Sequence, residues 1–372
     1  MNDPDFIIIG AGSAGCVMAE RLSASGRHQV LVLEAGGDDR RFFVQMPLGY
    51  GKTFFDPKVN WMYRAEPDAG LAGNVDHWPR GKVLGGSSSI NAMVWVRGHR
   101  QDFDDWRDAG NPGWGADEMF SAFRDVECAV IGEDAVRGRK GPLNLFLPGK
   151  TVHPLTRKWF QSAQALGLPL NPDFNGESQE GVGLFEFTIH GGRRLSAARA
   201  FLRPAMKRSN LRVITGAHVT GLTFDGGRVT GVTYSRRGKT ATVKAAREVI
   251  LSGGSVNSPQ LLQLSGIGAA DHLKGLGIDV RVDNANVGRN LEDHIGTNYT
   301  FRANCPTINQ QLGPWWGKLS AGLRYMLLRD GPLSVSLNQA GGFIRTSPDH
   351  ARPNMQLYFQ AFSTVIPRPG ER

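Results

Sequence analysis

The stretch Phe6-Ile7-Ile8-Ile9-Gly10-Ala11-Gly12-Ser13-Ala14-Gly15 decides the fold. Four consecutive apolar residues suit a short strand buried on both faces of a parallel sheet. A helical pattern follows, with Ala14, Met18 and Leu22 on one face and Val17 beside them, and it stops at Ser25-Gly26. Val30-Leu31-Val32-Leu33 is a second apolar strand, closed by Glu34. This is a βαβ opening. Gly10 permits a sharp turn, Gly12 a close approach of a pyrophosphate to the backbone, and Gly15 tight packing of helix on sheet. The helix N-terminus offers unpaired N–H groups and the positive end of its dipole to phosphates. Glu34 stands 19 residues after Gly15, where a carboxylate accepts both hydroxyls of an adenosine ribose and repels a 2′-phosphate. Strand, glycines, helix and acid together predict a dinucleotide site at Gly10, Gly12, Ser13, Ala14, Gly15, Glu34 and Ala35.

Outward from this core, residues 35–75 are rich in Gly, Pro and aromatics and lack a sustained period, which predicts a long covering excursion. Gly81 to Asn91 is a second loop rich in glycine and serine. Leu211 to Ala245 alternates with period two around turns at Asp225-Gly226-Gly227 and Arg236-Arg237-Gly238, predicting a three-stranded antiparallel meander. Glu248-Val249-Ile250-Leu251 is another apolar strand, and Asn257-Ser258-Pro259 begins a helix that Gly266 ends. A nicotinamide-dependent fold would continue its βαβ alternation. The interrupted sheet and added meander resemble the FAD domains of the glutathione-reductase type, so the fold expected is α/β. It comprises a Rossmann-like FAD-binding domain over residues 1–300, with excursions near 35–75 and 105–195 that cover the flavin or join the substrate domain. Part of an α+β substrate-binding domain follows from 301 to 372.

Composition narrows the class. The chain has 372 residues, 40% hydrophobic and 21% charged, as an ordinary globular protein does. Its 48 glycines are about 13% of the chain, roughly twice the usual share, without a collagen period. No apolar run approaches the ~18 residues of a membrane span. The acidic start Met1-Asn2-Asp3-Pro4-Asp5 lacks the basic region of a secretory signal. The net charge of +9 invites a nucleic-acid reading, but the densest basic patch, Arg137 to Lys140, is short and no zinc-finger or RNP pattern accompanies it. A basic balance also suits an anionic cofactor. Three cysteines, Cys16, Cys128 and Cys305, fit neither a disulfide framework nor a zinc site and favour a reducing, cytoplasmic compartment, with Cys16 a small core residue. Peripheral attachment to a membrane surface stays open.

Three longer motifs bring a family into view. Arg80-Gly81-Lys82-Val83-Leu84-Gly85-Gly86-Ser87-Ser88-Ser89-Ile90-Asn91 resembles the first signature of the glucose–methanol–choline (GMC) oxidoreductases. Gly254-Ser255-Val256-Asn257-Ser258-Pro259-Gln260-Leu261-Leu262, ending Ser265-Gly266-Ile267-Gly268, resembles the second, and Asn290-Leu291-Glu292-Asp293-His294 the short motif after it. Asn60-Trp61 and Arg97-Gly98-His99 are most similar to the choline dehydrogenase and alkanol dehydrogenase branch. The resemblance implies FAD as cofactor, with Val83, Gly86, Ser87, Asn91, Ala92, Met93, Val94 and Val219 added to its binding residues. Members that attach FAD covalently through this loop carry a His before the Asn. Ile90 stands there in this chain, so non-covalent FAD is expected.

The same resemblance implies oxidation of an alcohol CH–OH, choline-like or primary, to an aldehyde. A base takes the hydroxyl proton as hydride passes to flavin N5. The family's base is a His in a stretch resembling His-Pro-x-Gly-Thr. None of the nine histidines (His28, His77, His99, His153, His190, His218, His272, His294 and His350) stands in such a context, so no catalytic residue is assigned and no metal site is expected. His294 is the most tempting, but its motif lies before the substrate domain, and a structural role at a helix start is expected for it. The expectation is a partial family member, the alternative a non-catalytic flavin-binding fragment or pseudoenzyme. Choline would need an aromatic face for its ammonium, and Trp61, Trp78, Trp95, Trp315 and Trp316 are available. The particular alcohol and the electron acceptor are not legible.

Overall fold

Strand β1 (Phe6–Ile9) leads into helix α1 (Ser13–Ser23) and strand β2 (Val30–Glu34), as the opening sequence predicts. A computed structural model describes residues 3–149 and 152–363, so the sequence's closing Pro367–Arg372 lies outside the described residues. Strands β3 (Leu211–Thr215), β4 (Ala217–Asp225), β5 (Arg228–Arg236), β6 (Lys239–Lys244) and β7 (Glu248–Leu251) follow, then helix α2 (Gly254–Leu264). The parallel sheet has the order β3-β2-β1-β7, with Phe6 opposite both Val30 and Glu248. Ile7, Ile8, Val32 and Leu33 are wholly buried, which is why β1 and β2 read as unbroken apolar runs.

Three details differ from the sequence reading. Leu211–Thr215 is an edge strand of the parallel sheet, and the meander is β4-β5-β6 alone. Helix α1 buries Gly15, Cys16, Ala19 and Ser23, whereas Ala14 is exposed and Val17, Met18 and Leu22 are half-buried. Small residues bring the helix axis close to the sheet: a Cβ on Gly15 would fall 1.9 Å from the Gly10 carbonyl oxygen. Helix α2 starts at Gly254, before Asn257, because Ser252 Oγ donates to the Ile9 and Gly10 carbonyls and fixes the turn directly ahead of it. Pro259 then lies inside the helix.

The chain forms two units. The first takes residues up to 45, 51–91 and 196–296; the second takes 46–50, 92–195 and the residues from 297 on. Residues 92–195, which contain the excursion 105–195, group with the later segment. In the first unit, Ile7, Ile9, Leu31 and Leu33 of the sheet share a core with Val219 and Val232 of the meander and Leu261 of α2. A separate apolar cluster holds Val44, Val59, Val83 and Ile90.

The second unit has an antiparallel sheet in the order Met355–Phe359, Ala340–Ile344, Gly181–Leu184, and helices including Arg100–Asp108, Ala116–Val126 and Pro154–Ala165. Its interior contains a charge network. Arg137, the densest point of the basic patch in sequence, is buried and reaches Glu127 (2.9 Å), Asp173 (2.6 Å) and Glu186 (2.5 Å). Arg97 also pairs with Glu127, and Trp95 Nε1 donates to it at 2.9 Å. Arg137 is therefore internal scaffolding, whereas Lys140 is exposed and Arg139 pairs with Asp134. Among the described residues no helix is long and apolar enough to cross a membrane, and no group of side chains could hold a metal ion.

Candidate functional site

Parallel sheets bind ligands at the carboxyl ends of their strands, where loops leave for the next element. At that end of β1 and β2 the first unit encloses a cavity of about 640 Å³. Gly10, Gly12, Ser13, Ala14, Glu34, Ala35, Gly86, Ser87 and Val219 all line it. Nine sequence-predicted residues, drawn from four separate segments, are thus brought together. Gly15, Val83 and Asn91 belong to the same unit but do not line the cavity: Gly15 seats α1 on the sheet, and Val83 packs among Val44, Val59 and Ile90. The Asn91 amide donates to the Ser87 carbonyl at 2.9 Å. Ala92, Met93 and Val94 belong to the second unit, where Val94 pairs with Phe187 and the buried Met93 holds a left-handed φ of 64°.

The glycines at the cavity do specific work. Gly86 has φ +53°, and a Cβ there would lie 2.7 Å from Gly12 Cα, so the two loops meet backbone to backbone. A Cβ on Gly12 would meet nothing nearer than 4.0 Å, which leaves its face open to a ligand. Glu34 is only 5% exposed. Its Oε2 accepts the Ala11 amide (2.8 Å) and its Oε1 the Gly36 amide (2.7 Å). Each oxygen keeps a second lone pair. Burial pushes the Glu34 carboxyl above its ordinary value, against the pull of the two amides and of Lys82. The serine run mostly serves its own loop: Ser88 Oγ donates to Gly85 and Ser89 Oγ to Leu84, both at 2.6 Å, while Ser87 alone of the three lines the cavity.

Sequence reasoning missed part of the wall. Trp61 and His218 line the cavity with their rings edge-on at 5.4 Å, and Lys82 Nζ sits 4.4 Å from the Trp61 ring centroid. Burial, and then the charge of Lys82, lower the His218 pKa. Tyr63 stacks on Trp61 at 5.8 Å and donates to Asn257 Oδ1 at 2.5 Å, joining the excursion to α2. Arg80, also on the wall, pairs with Asp293 of the short later motif at 3.4 Å. Trp61, Arg80, Lys82, Asn257 and Asp293 stand in the stretches that carry the family resemblance, without a role assigned there at this wall; no local signal marks His218.

The other histidines are placed elsewhere. His99 Nδ1 accepts the Gln101 amide at 3.1 Å and caps the helix Arg100–Asp108. His153 Nδ1 does the same for Leu155 at 3.2 Å at the start of Pro154–Ala165. His294 is exposed in a stretch without regular structure, so it begins no helix, contrary to the expected structural role.

Anion-accepting amides at a helix start, a buried ribose-type acceptor and an open glycine face suit FAD, and the comparisons agree. A family description, GMC oxidoreductase, matches residues 4–296. The oxygen-dependent choline dehydrogenase of Rhizobium etli is 42% identical over 95% of this chain, and the mitochondrial choline dehydrogenase of Homo sapiens 41% over 96%. The chain spans 64% and 61% of those proteins' lengths. Among solved structures, pyridoxine 4-oxidase from Mesorbium loti aligns with a TM-score of 0.86 at 32% identity, over 99% of this chain and 69% of its own. The chain belongs to the GMC oxidoreductase family.

Proposed function

We propose that this chain carries the FAD-binding part of an oxidoreductase that converts the CH–OH group of a choline-like or primary alcohol to an aldehyde. The cofactor is FAD, which when bound supplies the hydride acceptor at its N5. The reading rests on one observation: the glycine loops Gly10–Gly15 and Gly81–Asn91 meet at Gly12 and Gly86, on a cavity walled by Glu34. In this reading the α1 amides and the open backbone at Gly12 bind the pyrophosphate, and Glu34 orients the adenosine ribose. Val219 stands beside a bulge between Val219 and Gly221 in β4, which frees backbone groups for the adenine edge. Asn91, Ala92, Met93 and Val94 are assigned to the flavin ring by resemblance. Ile90, buried among Val44, Val59 and Val83, offers no nucleophile, so attachment is non-covalent.

The proton acceptor is not assigned to any histidine described above. Anaerobic addition of choline or a primary alcohol to the flavin-loaded protein tests the reaction: bleaching of the visible flavin band supports it. A loaded flavin that neither alcohol bleaches favours the non-catalytic alternative, and a chain that binds no FAD removes both.

A further inference from the structure

The first unit contains a second cavity, of about 390 Å³, lined in part by the Ala35–Gly37 segment. Ala35, Gly36, Gly37, Thr215 and Gly216 are among its lining residues. Four cationic residues line it, Lys58, Lys82, Arg236 and Arg237, and no carboxylate does. They come from three separate stretches of chain, so no helix spacing or local repeat explains their convergence. None of the four forms an ion pair among the described residues. Arg236 Nε donates to the Thr215 carbonyl at 3.2 Å, which holds its guanidinium at the rim. Arg237, at φ 52°, occupies the β5–β6 turn beside it. The carboxylates nearby are engaged: Glu34 holds the Ala11 and Gly36 amides, and Asp56 accepts the Lys58 amide and faces Arg41.

Lys58, Arg236 and Arg237 form no ion pair among the described residues and repel each other across this cleft, and a bound polyanion relieves that repulsion; the Lys82 ammonium instead lies on Trp61 and acts on Glu34. Arginine forks and lysine ammonium groups together match phosphate oxygens. We propose that this cleft is a second anion site, apart from the cofactor cavity, for a small phosphate-bearing ligand. Inorganic and nucleotide phosphates share that chemistry. The site borders the cofactor cavity through Ala35, which lines both, and through Lys82, whose ammonium lies on Trp61.

The test is calorimetric titration of the FAD-loaded protein at low salt with inorganic pyrophosphate and, separately, with ADP. One site is expected beyond the bound flavin, weakened by added salt. Lys58→Ala and Arg237→Ala should each weaken it about tenfold, with FAD affinity unchanged. Equal affinity for the two probes assigns the site to the phosphoryl group alone, and tighter ADP binding assigns it to a nucleotide. Absence of binding, binding indifferent to both substitutions, or release of FAD by pyrophosphate would overturn the proposal.

Discussion

A Cβ built on Gly86 would stand 2.7 Å from the Cα of Gly12, so two glycines 74 residues apart in sequence touch through their backbones. Gly86 combines that contact with φ +53°, a region L side chains adopt at a cost. Gly86→Ala should therefore push the second loop off the first, destabilising the first unit by about 1–3 kcal/mol. A lowered unfolding midpoint together with weaker FAD uptake is expected. An unchanged FAD titration would mean that the loops need not meet to form the cradle.

In the proposed reading Glu34 meets the cofactor through its side chain. Its carboxylate is a charge-assisted acceptor worth roughly 1.5–3 kcal/mol to a bound hydroxyl pair. Glu34→Ala should weaken FAD binding about ten- to a hundredfold, since ~1.4 kcal/mol is tenfold. Its titration has a definite sign as well. With the folded pKa raised above the ordinary 4.5, Glu34's contribution to stability is complete below 4.5 and is lost as pH rises through the raised value. The stability of the flavin-free protein relative to Glu34→Gln should accordingly decline with rising pH across that window, as read from denaturation midpoints.

Much of this site was legible because local chemistry and fold agree there. Ile7, Ile8, Val32 and Leu33 are buried on both faces, so their sequence is apolar without alternation, and the turn between them has to be glycine. Leu211–Thr215 was misread because an edge strand half in contact with solvent, with Arg212 exposed and Ile214 buried, alternates as an antiparallel strand does. The buried face of α1 was misjudged because contact with the sheet selects small residues, whereas periodicity weights large ones. Trp61, Lys82 and His218 converge from segments over 130 residues apart, and nothing in their local sequence encodes that meeting. Arg137 looked like surface charge because its partners, Glu127, Asp173 and Glu186, are scattered along the chain.

The proposed non-covalent attachment rests on Ile90, which is 1% exposed and has no nucleophilic atom. Acid precipitation of the flavin-loaded protein should leave all yellow colour in the supernatant. Flavin carried down with the pellet would place a covalent bond on some other residue.

The network around Arg137 should govern stability of the second unit. Arg137→Met leaves Glu127, Asp173 and Glu186 buried with Arg97 as the remaining cation of the network, a loss of about 3–5 kcal/mol. Denaturant unfolding measures it directly, and a loss below ~1 kcal/mol would class the network with ordinary surface pairs.

The last prediction concerns His153. Its Nδ1 accepts the Leu155 amide at 3.2 Å, a cap that exists only while the ring is neutral with its proton on Nε2. Burial lowers its pKa below the ordinary 6.5, so the folded protein takes up the proton less readily than the unfolded chain. The sign follows: the cap's contribution is complete above 6.5 and is lost as pH falls through the lowered value. An Asn at this position accepts the same amide through a side-chain oxygen that does not titrate near neutrality. His153→Asn should therefore match the parent in unfolding midpoint at pH 7.5 and become more stable than it as pH falls below 6.5. His153→Ala, which removes the acceptor, should cost about 0.5–2 kcal/mol at the higher pH and less at the lower. Parallel pH profiles for the parent and the Asn variant would show that the ring nitrogen does not hold the cap in solution.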